Sequence, residues 1–542
     1  MEIAKNSLEA PCKKACPVNV DVPRYIRAIS MGRFDDALNI VREKNPFPSI
    51  CGRVCFSPCE TNCNCNHLLI KGPVAVRALK RFVAERPNAV IKESPTMKHT
   101  DKKVAVVGSG PCGLTAAYYL QKQGHSVTVF EMFTEPGGLM RYAIPDYRLP
   151  RDVIAKEISL ISDTGIRIKT SVKVESPTQL IKDGYNAIFW AVGANRKANI
   201  GIEGEDLAEV IDFTTFLREI KEGRRVALGE SVAIIGGGNS AIDTARSALR
   251  LGSKEVVIFY RRRLEDMPAH IADIKETIEE GIRIEALVLP TRIVRHNGRL
   301  RIYFLRTKTG AVNGSGRHGF ESILGSEFTV DVDNLISAIG LVSQNPFKND
   351  QIMIKTDSSR VVRYSVKGKH GLFAGGDTIS GASSVIDAIA AGREAAILID
   401  KYLGGNGDIE IVLTPPEGEI PPFELQGFPI SEQTRSPKLS VEARVNNFFP
   451  IDLGYDEEKA ITESKRCLRC DLPLSIVTDN CTGCMICVMR CSARFSRAFS
   501  PATAKVRVIP YTDGKPNEIT FTKDCDGCGI CARYCPNGAI IK

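Results

Sequence analysis

Lys103-Val-Ala-Val-Val-Gly108-Ser-Gly110-Pro-Cys-Gly113-Leu-Thr-Ala-Ala-Tyr-Tyr-Leu120 decides the fold of the middle of this chain. A short apolar run enters a glycine turn, and the turn opens a helix. This is the strand–turn–helix start of a doubly wound sheet that binds a dinucleotide. Gly108 permits the turn, Gly110 lets backbone N–H groups approach a pyrophosphate, and Gly113 lets helix and strand pack closely. The next strand, Ser126-Val-Thr-Val-Phe130, ends at Glu131, where a carboxylate accepts a ribose hydroxyl. Cys112, inside the loop, reads as a small packing residue.

The pattern recurs downstream in Ser231-Val-Ala-Ile-Ile-Gly236-Gly-Gly238-Asn239-Ser240-Ala241, again leading into a helix. Its following strand, Glu255-Val-Val-Ile-Phe259, ends not in an acid but in Tyr260-Arg261-Arg262-Arg263. An acid would favour a free 2′-hydroxyl, whereas arginines suit a 2′-phosphate, so NADP is preferred to NAD. The alternative is an arginine cluster on an ordinary solvated loop.

A third piece, Gly371-Leu-Phe-Ala-Gly375-Gly376-Asp377, precedes a helix that starts near Val385. A strand that delivers an aspartate to a nearby helix holds flavin ribityl and phosphate groups, so the first site is read as one for FAD. The expected organisation is multidomain α/β. A cysteine-bearing segment over 1–98, a helical N-terminal iron–sulfur domain by family resemblance, precedes a Rossmann-like FAD domain split into 99–198 and 343–404. A Rossmann-like NAD(P) domain over 199–342 is inserted between those halves, with Gly193 and Gly340 at the crossings. Residues 405–478, with Thr414-Pro-Pro-Glu-Gly-Glu-Ile-Pro-Pro422, read as a linker around the body. A bacterial-ferredoxin-like α+β domain over 479–542 closes the chain.

That last domain rests on cysteine spacing. Cys481, Cys484, Cys487 and Cys491 are spaced C-x2-C-x2-C-x3-C, and Cys525, Cys528, Cys531 and Cys535 repeat the spacing, with Pro536 following. Each run holds three thiolates on one tight loop and sends the fourth to the neighbouring cluster. The expected product is two [4Fe–4S] clusters, one on Cys481, Cys484, Cys487 and Cys535, the other on Cys525, Cys528, Cys531 and Cys491. Zinc is the alternative, although its sites usually pair two short C-x2-C units.

Composition bounds the rest. At 542 residues, with 43% hydrophobic and 25% charged residues, the chain reads as several ordinary globular domains. No apolar run reaches the roughly 18 residues of a membrane span, and Met-Glu-Ile-Ala-Lys-Asn is not a secretory signal. Eighteen cysteines, clustered at metal-ligand spacing rather than spread as disulfides, imply a reducing cytoplasm, and exposed clusters imply low oxygen. The formal charge of +9 is modest at this size and does not imply nucleic acid. Residues 479–542 carry nine Lys/Arg against five Asp/Glu, a mildly basic end. The seven histidines form no H-E-x-x-H pair or similar ligand set, and hydride transfer between cofactors needs no catalytic side chain.

Gly137-Gly-Leu-Met-Arg-Tyr-Ala-Ile-Pro-Asp-Tyr-Arg-Leu-Pro150, Gly236-Gly-Gly-Asn-Ser-Ala-Ile-Asp243 and Met267-Pro268-Ala269 resemble the NADPH-dependent glutamate synthase small-subunit family. That family includes the large subunit of electron-bifurcating transhydrogenases and the N-terminal half of dihydropyrimidine dehydrogenase. The similarity covers about residues 1–404. It implies FAD and NAD(P)H face to face in neighbouring domains with clusters nearby, and it adds Gly138 and Leu139 to the cofactor-binding residues. No C-x4-C pair follows the first glycine loop, which speaks against a thioredoxin-type disulfide reductase.

The resemblance extends to Cys12-x3-Cys16-Pro17 and Gly52-Arg-Val-Cys55-x3-Cys59-x3-Cys63, which match the family's helical iron–sulfur domain. The family usually begins with a further C-x2-C just before the Cys12 position, and this chain has none there. Glu463-Ser-Lys-Arg-Cys467-Leu-Arg-Cys470-Asp-Leu-Pro473 reads like the missing piece. It is expected to fold back, so that Cys12, Cys63, Cys467 and Cys470 share one [4Fe–4S] cluster. A second cluster would use Cys16, Cys55 and Cys59. The family's fourth ligand there is a glutamine or glutamate, and the matching residue is Lys80, which cannot ligate iron while protonated. Cys51 and Cys65 are the candidates to replace it, Cys51 being preferred.

The expected function is an NAD(P)H-linked FAD/iron–sulfur oxidoreductase subunit that exchanges electrons with a ferredoxin or a larger partner enzyme in a hetero-oligomer, bifurcation being among the family's activities. Electrons would leave by the N-terminal clusters on one route and by the C-terminal pair on another. Two other readings are a glutamate synthase small subunit serving a separate synthase subunit, and a non-enzymatic electron-transfer adaptor. Two intact glycine loops argue against the adaptor.

Overall fold

The computed structural model describes residues 9–67, 72–94, 96–194, 196–312, 318–343, 351–354, 359–366, 369–418, 420, 431–511 and 515–542. The chain forms two compact units. One comprises Met1–Pro95, Glu410–Pro437 and Gly454–Lys542, the other Thr96–Ile409 and Lys438–Leu453.

The second unit contains two nucleotide-type sheets. In the first, the strand order is Gln351–Ile354, Val361–Val366, Lys369–Gly375, Ala187–Trp190, Lys103–Val107, Ser126–Phe130, Arg167–Lys169. The last five are parallel and the first two pair antiparallel. Near-continuous apolar strands such as Val104–Val107 are buried on both faces, as a parallel sheet requires. Ala105, Val107, Ile188 and Trp190 form one face with Leu180 and Leu372. The helices Pro111–Lys122 and Val385–Tyr402 pack against each other so closely that a Cβ on Gly392 would lie 2.4 Å from the Cys112 carbonyl oxygen.

The other parallel sheet runs Val210–Asp212, Asn334–Ser337, Ser231–Ile235, Glu255–Tyr260, Arg283–Ala286. Val232, Ile234 and Ile258 bury one face against residues of the helices Phe213–Lys221, Asn239–Arg250 and Ile271–Glu279. Ala233, Ile235 and Phe259 bury the opposite face against an antiparallel sheet of Val288–His296, Arg299–Val312, His318–Ser322 and Phe328–Val332. Phe259 stacks on Phe304 there, with ring centroids 4.5 Å apart. An antiparallel ribbon of Arg196–Lys197 and Leu341–Val342 joins the two chain crossings. Residues 438–453 bind back onto this unit: Arg444 pairs with Glu279 at 2.8 Å and with Glu280 at 3.0 Å, and the Ile451 N–H donates to the Tyr147 carbonyl at 3.1 Å.

In the first unit, the helices Val22–Ser30, Phe34–Arg42, Pro48–Val54 and Val76–Glu85 make a helical body. Gly52 is the contact that lets the last two approach, since a Cβ there would lie 2.7 Å from Arg81 Cα. The segment 405–478, read from sequence as a linker, carries the helices Val441–Val445 and Glu457–Ser464; Pro421 and Pro422 of its proline-rich stretch lie outside the described residues. Helix Glu457–Ser464 packs on Val22–Ser30 and Val76–Glu85. Its Glu463, fully buried, accepts the Ala75 N–H at 2.8 Å, the Thr434 N–H at 2.7 Å and Arg466 Nη1 at 2.6 Å. Arg27 then donates to Asp471 at 2.8 Å. These bonds fix the positions of Cys467 and Cys470, because a buried carboxylate left unpaired would be strongly destabilising.

The chain's C-terminal end holds two antiparallel pairs, Val506–Ile509 with Glu518–Phe521 and Ser475–Ile476 with Ile540–Ile541. The helices Ile486–Ser496 and Ile530–Arg533 accompany them. Cys487, Cys491, Cys531 and Cys535 are part of its core with Leu474, Val488 and Val506.

Candidate functional site

At the first glycine loop, Gly108 has φ +103°, and a Cβ would lie 2.4 Å from the Ala191 carbonyl oxygen. Gly110 differs: nothing lies within 4 Å of where its Cβ would be, at the N-terminus of the helix Pro111–Lys122. The loop is thus closed against protein at Gly108 and open at Gly110, the cradle a pyrophosphate needs beside unpaired helix N–H groups. Gly138, φ +54°, lies against it, its built Cβ 2.9 Å from Gly110 Cα, and Leu139 begins the next helical turn. Buried Glu131 accepts from the Ser109 N–H at 3.0 Å and the Ser109 hydroxyl at 2.5 Å on one oxygen, and from the Phe133 N–H at 2.9 Å on the other. Ser109 also accepts the Gly137 N–H at 3.1 Å, so one serine ties both glycine segments to the carboxylate.

Asp377 follows Gly376 and accepts the Ser383 N–H at 3.1 Å and hydroxyl at 2.5 Å; burial pushes its carboxyl above the ordinary value. Gly193 donates its N–H to Thr378 at 2.9 Å, joining the crossing to this turn, and Val385 opens the long helix after the Ser384 cap. Cys112 is buried, its thiol pushed up by burial, and its sulfur would meet a Cβ on Gly376 at 2.9 Å. It is a packing residue.

The second loop repeats this contrast. A Cβ on Gly236 would lie 2.3 Å from the Ala338 carbonyl oxygen, whereas Gly238 has nothing closer than 3.9 Å. Asn239, Ser240 and Ala241 form the first turn of its helix, and Asn239 accepts the His270 N–H at 2.9 Å, closing the Met267-Pro268-Ala269 segment over the loop. Gly340, at φ +108°, has open space around it. Tyr260 lies under Gly237 and donates its hydroxyl to the Asp266 carbonyl at 2.8 Å. Arg263 is held by Asp266 at 2.8 Å, but Arg261 and Arg262 point elsewhere: their guanidinium carbons lie 4.9 and 5.8 Å from the Phe320 ring centre. Buried Nε of Arg262 has no hydrogen-bond partner among the described residues. Burial and then the neighbouring charge of Arg262 push Arg261 below its ordinary value. Two mutually repelling guanidiniums with an orphaned donor fit a dianionic group.

None of the eighteen cysteines is in a disulfide. Cys481, Cys484, Cys487 and Cys535 line one pocket with Met485. Cys491 and Cys525 act electrostatically on Cys531 together with Cys528. In the helical body, burial pushes Cys12 well up, and Cys467, Cys470, Cys63 and, least of these, Cys59 push it further, which places Cys12 close to these sulfurs. Burial holds Cys467 at about 11 and Cys470 at about 12, while the Cys65 thiol holds Cys63 down at about 7. Cys65 thereby belongs beside Cys63, with its sulfur 3.5 Å from the Arg466 carbonyl oxygen. Lys80 is 4% exposed: burial lowers it, but the charges of Cys55, Cys51, Cys59 and Cys16 outweigh that. Cys51, not Cys65, therefore shares the environment of Cys16, Cys55 and Cys59.

Backbone N–H groups point at several sulfurs: Arg469 at Cys467 (3.4 Å), Lys505 at Cys491 (3.1 Å) and Ala539 at Cys535 (3.2 Å). Clustered sulfurs, many of them buried and several supplied with N–H donors, fit thiolates that bind iron, because the metal's charge offsets what burial alone disfavours. Among the described residues no three His, Cys, Asp or Glu side chains meet closely enough to hold a single ion. A cubane differs, because each thiolate holds its own iron and the sulfurs stand apart.

Residues 102–392 match the model of the pyridine nucleotide-disulphide oxidoreductase family. The chain belongs to that family. In this pyridine nucleotide-disulphide oxidoreductase, residues 5–90 match the dihydropyrimidine dehydrogenase domain II 4Fe-4S cluster model and residues 519–541 a 4Fe-4S binding domain. It is 36% identical to the NADP(+)-dependent formate dehydrogenase subunit beta of Moorella thermoacetica, over 86% of this chain and 71% of that one. It is 34% identical to the NADPH-Fe(3+) oxidoreductase subunit beta of Geobacter sulfurreducens, over 85% and 75%. The small chain of the NADPH glutamate synthase of Escherichia coli is 31% identical over 72% and 88%. This oxidoreductase is an NAD(P)H-linked flavoenzyme with FAD and [4Fe–4S] clusters as its cofactors. No helix among the described residues is long and apolar enough to cross a membrane.

Sequence reading missed Ser109 and Phe320. Ser109 was legible in principle, as the residue between two loop glycines. Phe320 meets Arg261 and Arg262 from a strand distant in sequence, and no spacing marks it.

Proposed function

We propose that this chain oxidises NADPH at Gly236, Gly238, Asn239, Ser240, Ala241, Tyr260, Arg261, Arg262 and Gly340, and holds FAD at Gly108, Gly110, Gly113, Glu131, Gly138, Leu139, Gly193, Gly376, Asp377 and Val385. The observation that carries this is the pair of open cradles at Gly110 and Gly238 in one unit, with Arg261 and Arg262 beside the second. Bound FAD supplies the conversion of a hydride's electron pair into single electrons. The chain's own part is to orient: Glu131 and Ser109 hold the first loop, and the Asn239–His270 bond holds the second.

On this reading the FAD domain is 99–198 with 343–404, the NAD(P) domain 199–342, the helical cluster domain 1–98 and the ferredoxin domain 479–542. Residues 405–478 bring Cys467 and Cys470 to Cys12 and Cys63 for one cluster; Cys16, Cys51, Cys55 and Cys59 hold another. The two C-terminal clusters take the ligand sets given above. Electrons pass to a partner subunit or ferredoxin in a cytoplasmic hetero-oligomer. The relatives named as formate dehydrogenase and NADPH-Fe(3+) oxidoreductase beta subunits support a catalytic partner.

The test is an anaerobic titration of the purified protein with NADPH and NADH separately, following flavin absorbance and iron–sulfur EPR. Bleaching of the flavin at lower NADPH than NADH is expected. A flavin that neither nucleotide bleaches would defeat the proposal.

A further inference from the structure

We propose that the ferredoxin-like end and the helical cysteine body are in direct electronic contact, so that their clusters form one relay instead of two separate exits. This rests on the reading of both cysteine sets as [4Fe–4S] sites. The contact is a closed ring of polar bonds within the first unit. Asn64 Nδ2 donates to Cys470 Sγ at 3.3 Å, and Asn64 Oδ1 accepts Arg494 Nη2 at 2.8 Å. Arg494 Nη1 donates to Asp526 Oδ1 at 2.9 Å, its other arm reaching Oδ2, and Asp526 Oδ1 accepts the Cys528 N–H at 3.3 Å. The ring closes with Cys470 Sγ 3.7 Å from the Cys528 carbonyl oxygen.

Backbone packing supports the same join. A Cβ on Gly529 would lie 2.9 Å from the Leu468 carbonyl oxygen, so the loop holding Cys528 is seated on the loop holding Cys467 and Cys470. Lys542 Nζ donates to the Gly527 carbonyl and its charge acts on Cys470. Arg494 is 5% exposed, so its charge acts through protein on both sulfurs rather than through water.

Ligands of two neighbouring sites thus touch, and electron exchange falls steeply with separation. The inner ferredoxin cluster, on Cys525, Cys528, Cys531 and Cys491, is the neighbour of the cluster on Cys12, Cys63, Cys467 and Cys470. The outer cluster, whose Cys484 is exposed, becomes the far end of the relay. One electron crossing the contact oxidises the cluster it leaves and reduces the one it enters; no bond breaks and no proton moves. NADPH supplies it through the hydride it gives up.

The experiment uses the full-length holoprotein. Cys484→Ser removes the outer cluster, and Ti(III) citrate reduces the remainder. Low-temperature EPR is then compared with that of Cys484→Ser/Cys467→Ser/Cys470→Ser. A split inner-cluster signal in the first variant that collapses to a single unsplit one in the second is expected; an unsplit signal in the first, or the same signal in both, overturns the proposal. Iron and sulfide content of the unaltered protein tests the underlying reading separately, because too few clusters would defeat that reading before any coupling is measured. Arg494→Gln keeps every cysteine and covers the case where the triple variant fails to fold. Loss of one buried charge facing both sites is expected to change the reduction equilibrium of both clusters by about tenfold. A change confined to one cluster, or none, overturns the proposal.

Discussion

Arg246 and Glu280 meet inside the second unit, Nε donating to one carboxylate oxygen at 3.0 Å and Nη2 to the other at 2.5 Å. Arg250 and Arg444 reach the same carboxylate, at 2.8 and 3.0 Å, and neither Glu280 nor Arg250 exposes any of its side chain. Glu280 is thus the hub that ties the helix behind the NAD(P) loop to residues 438–453. Removing it would leave buried guanidiniums uncompensated, so Glu280→Ala is expected to destabilise the unit by about 3–5 kcal/mol in denaturant unfolding. An unchanged midpoint would show that the hub is not structural.

The same carboxylate has a pH signature. Burial pushes Glu280 up, but hydrogen bonds from Arg246 and Arg250 outweigh it and hold it below its ordinary value. Its contribution is therefore complete above the unfolded value of about 4.3 and is lost as pH falls through the lower folded value. Acid unfolding of Glu280→Gln should show a shallower stability loss below about pH 4 than the parent.

Gly108 and Gly110 should respond in opposite ways. Gly108→Ala meets the Ala191 carbonyl from a left-handed φ and is expected to lower stability. Gly110→Val has room in the protein but fills the pyrophosphate cradle. It should give folded protein with an unchanged melting profile and a several-fold lower flavin-to-protein ratio by absorbance.

Arg261→Ala and Arg262→Ala each remove a charged donor worth about 1.5–3 kcal/mol when bonded to a charged group. The NADPH KM should rise about tenfold or more with each, while the NADH KM stays put. Equal effects on both nucleotides would place the arginines away from the 2′-phosphate.

Lys80 is a buried positive charge among Cys16, Cys51, Cys55 and Cys59. A unit charge at roughly 5–8 Å and an effective dielectric of about 20 is worth about 2–3 kcal/mol, or about 100 mV for one electron. Lys80→Met should shift one cluster's midpoint negative by about that much in an EPR-monitored titration, with iron content preserved. Cys51→Ser should lose one cluster's iron and Cys65→Ser should not.

What was legible in the sequence is what is local. The glycine loops announce themselves because strand, turn and helix follow one another within a few residues, and the cysteine runs because thiolates on one tight loop need that spacing. Cys467 and Cys470 could be connected to Cys12 only through a family pattern, because nothing in the residues 405–478 says where they return. Sequence reading prefers Cys51 to Cys65 with no spacing to support the choice; the charges of Cys51, Cys55, Cys59 and Cys16 around buried Lys80, and the hydrogen bond between the Cys63 and Cys65 thiols, separate them in three dimensions. The ring through Asn64, Cys470, Arg494 and Asp526–Cys528 has no periodicity, since its members come from four segments brought together by tertiary packing.

The return of Cys467 and Cys470 to the N-terminal body also sets a timetable for biosynthesis. Cys12 and Cys470 are 458 positions apart. At about 5–20 residues per second a ribosome needs roughly 20–90 s to travel from one to the other. Through most of that interval Cys12 and Cys63 lack their two partners, and every strand of both parallel sheets is synthesised before Cys467 and Cys470 appear. That four-cysteine set can therefore be completed only after both parallel sheets have been synthesised.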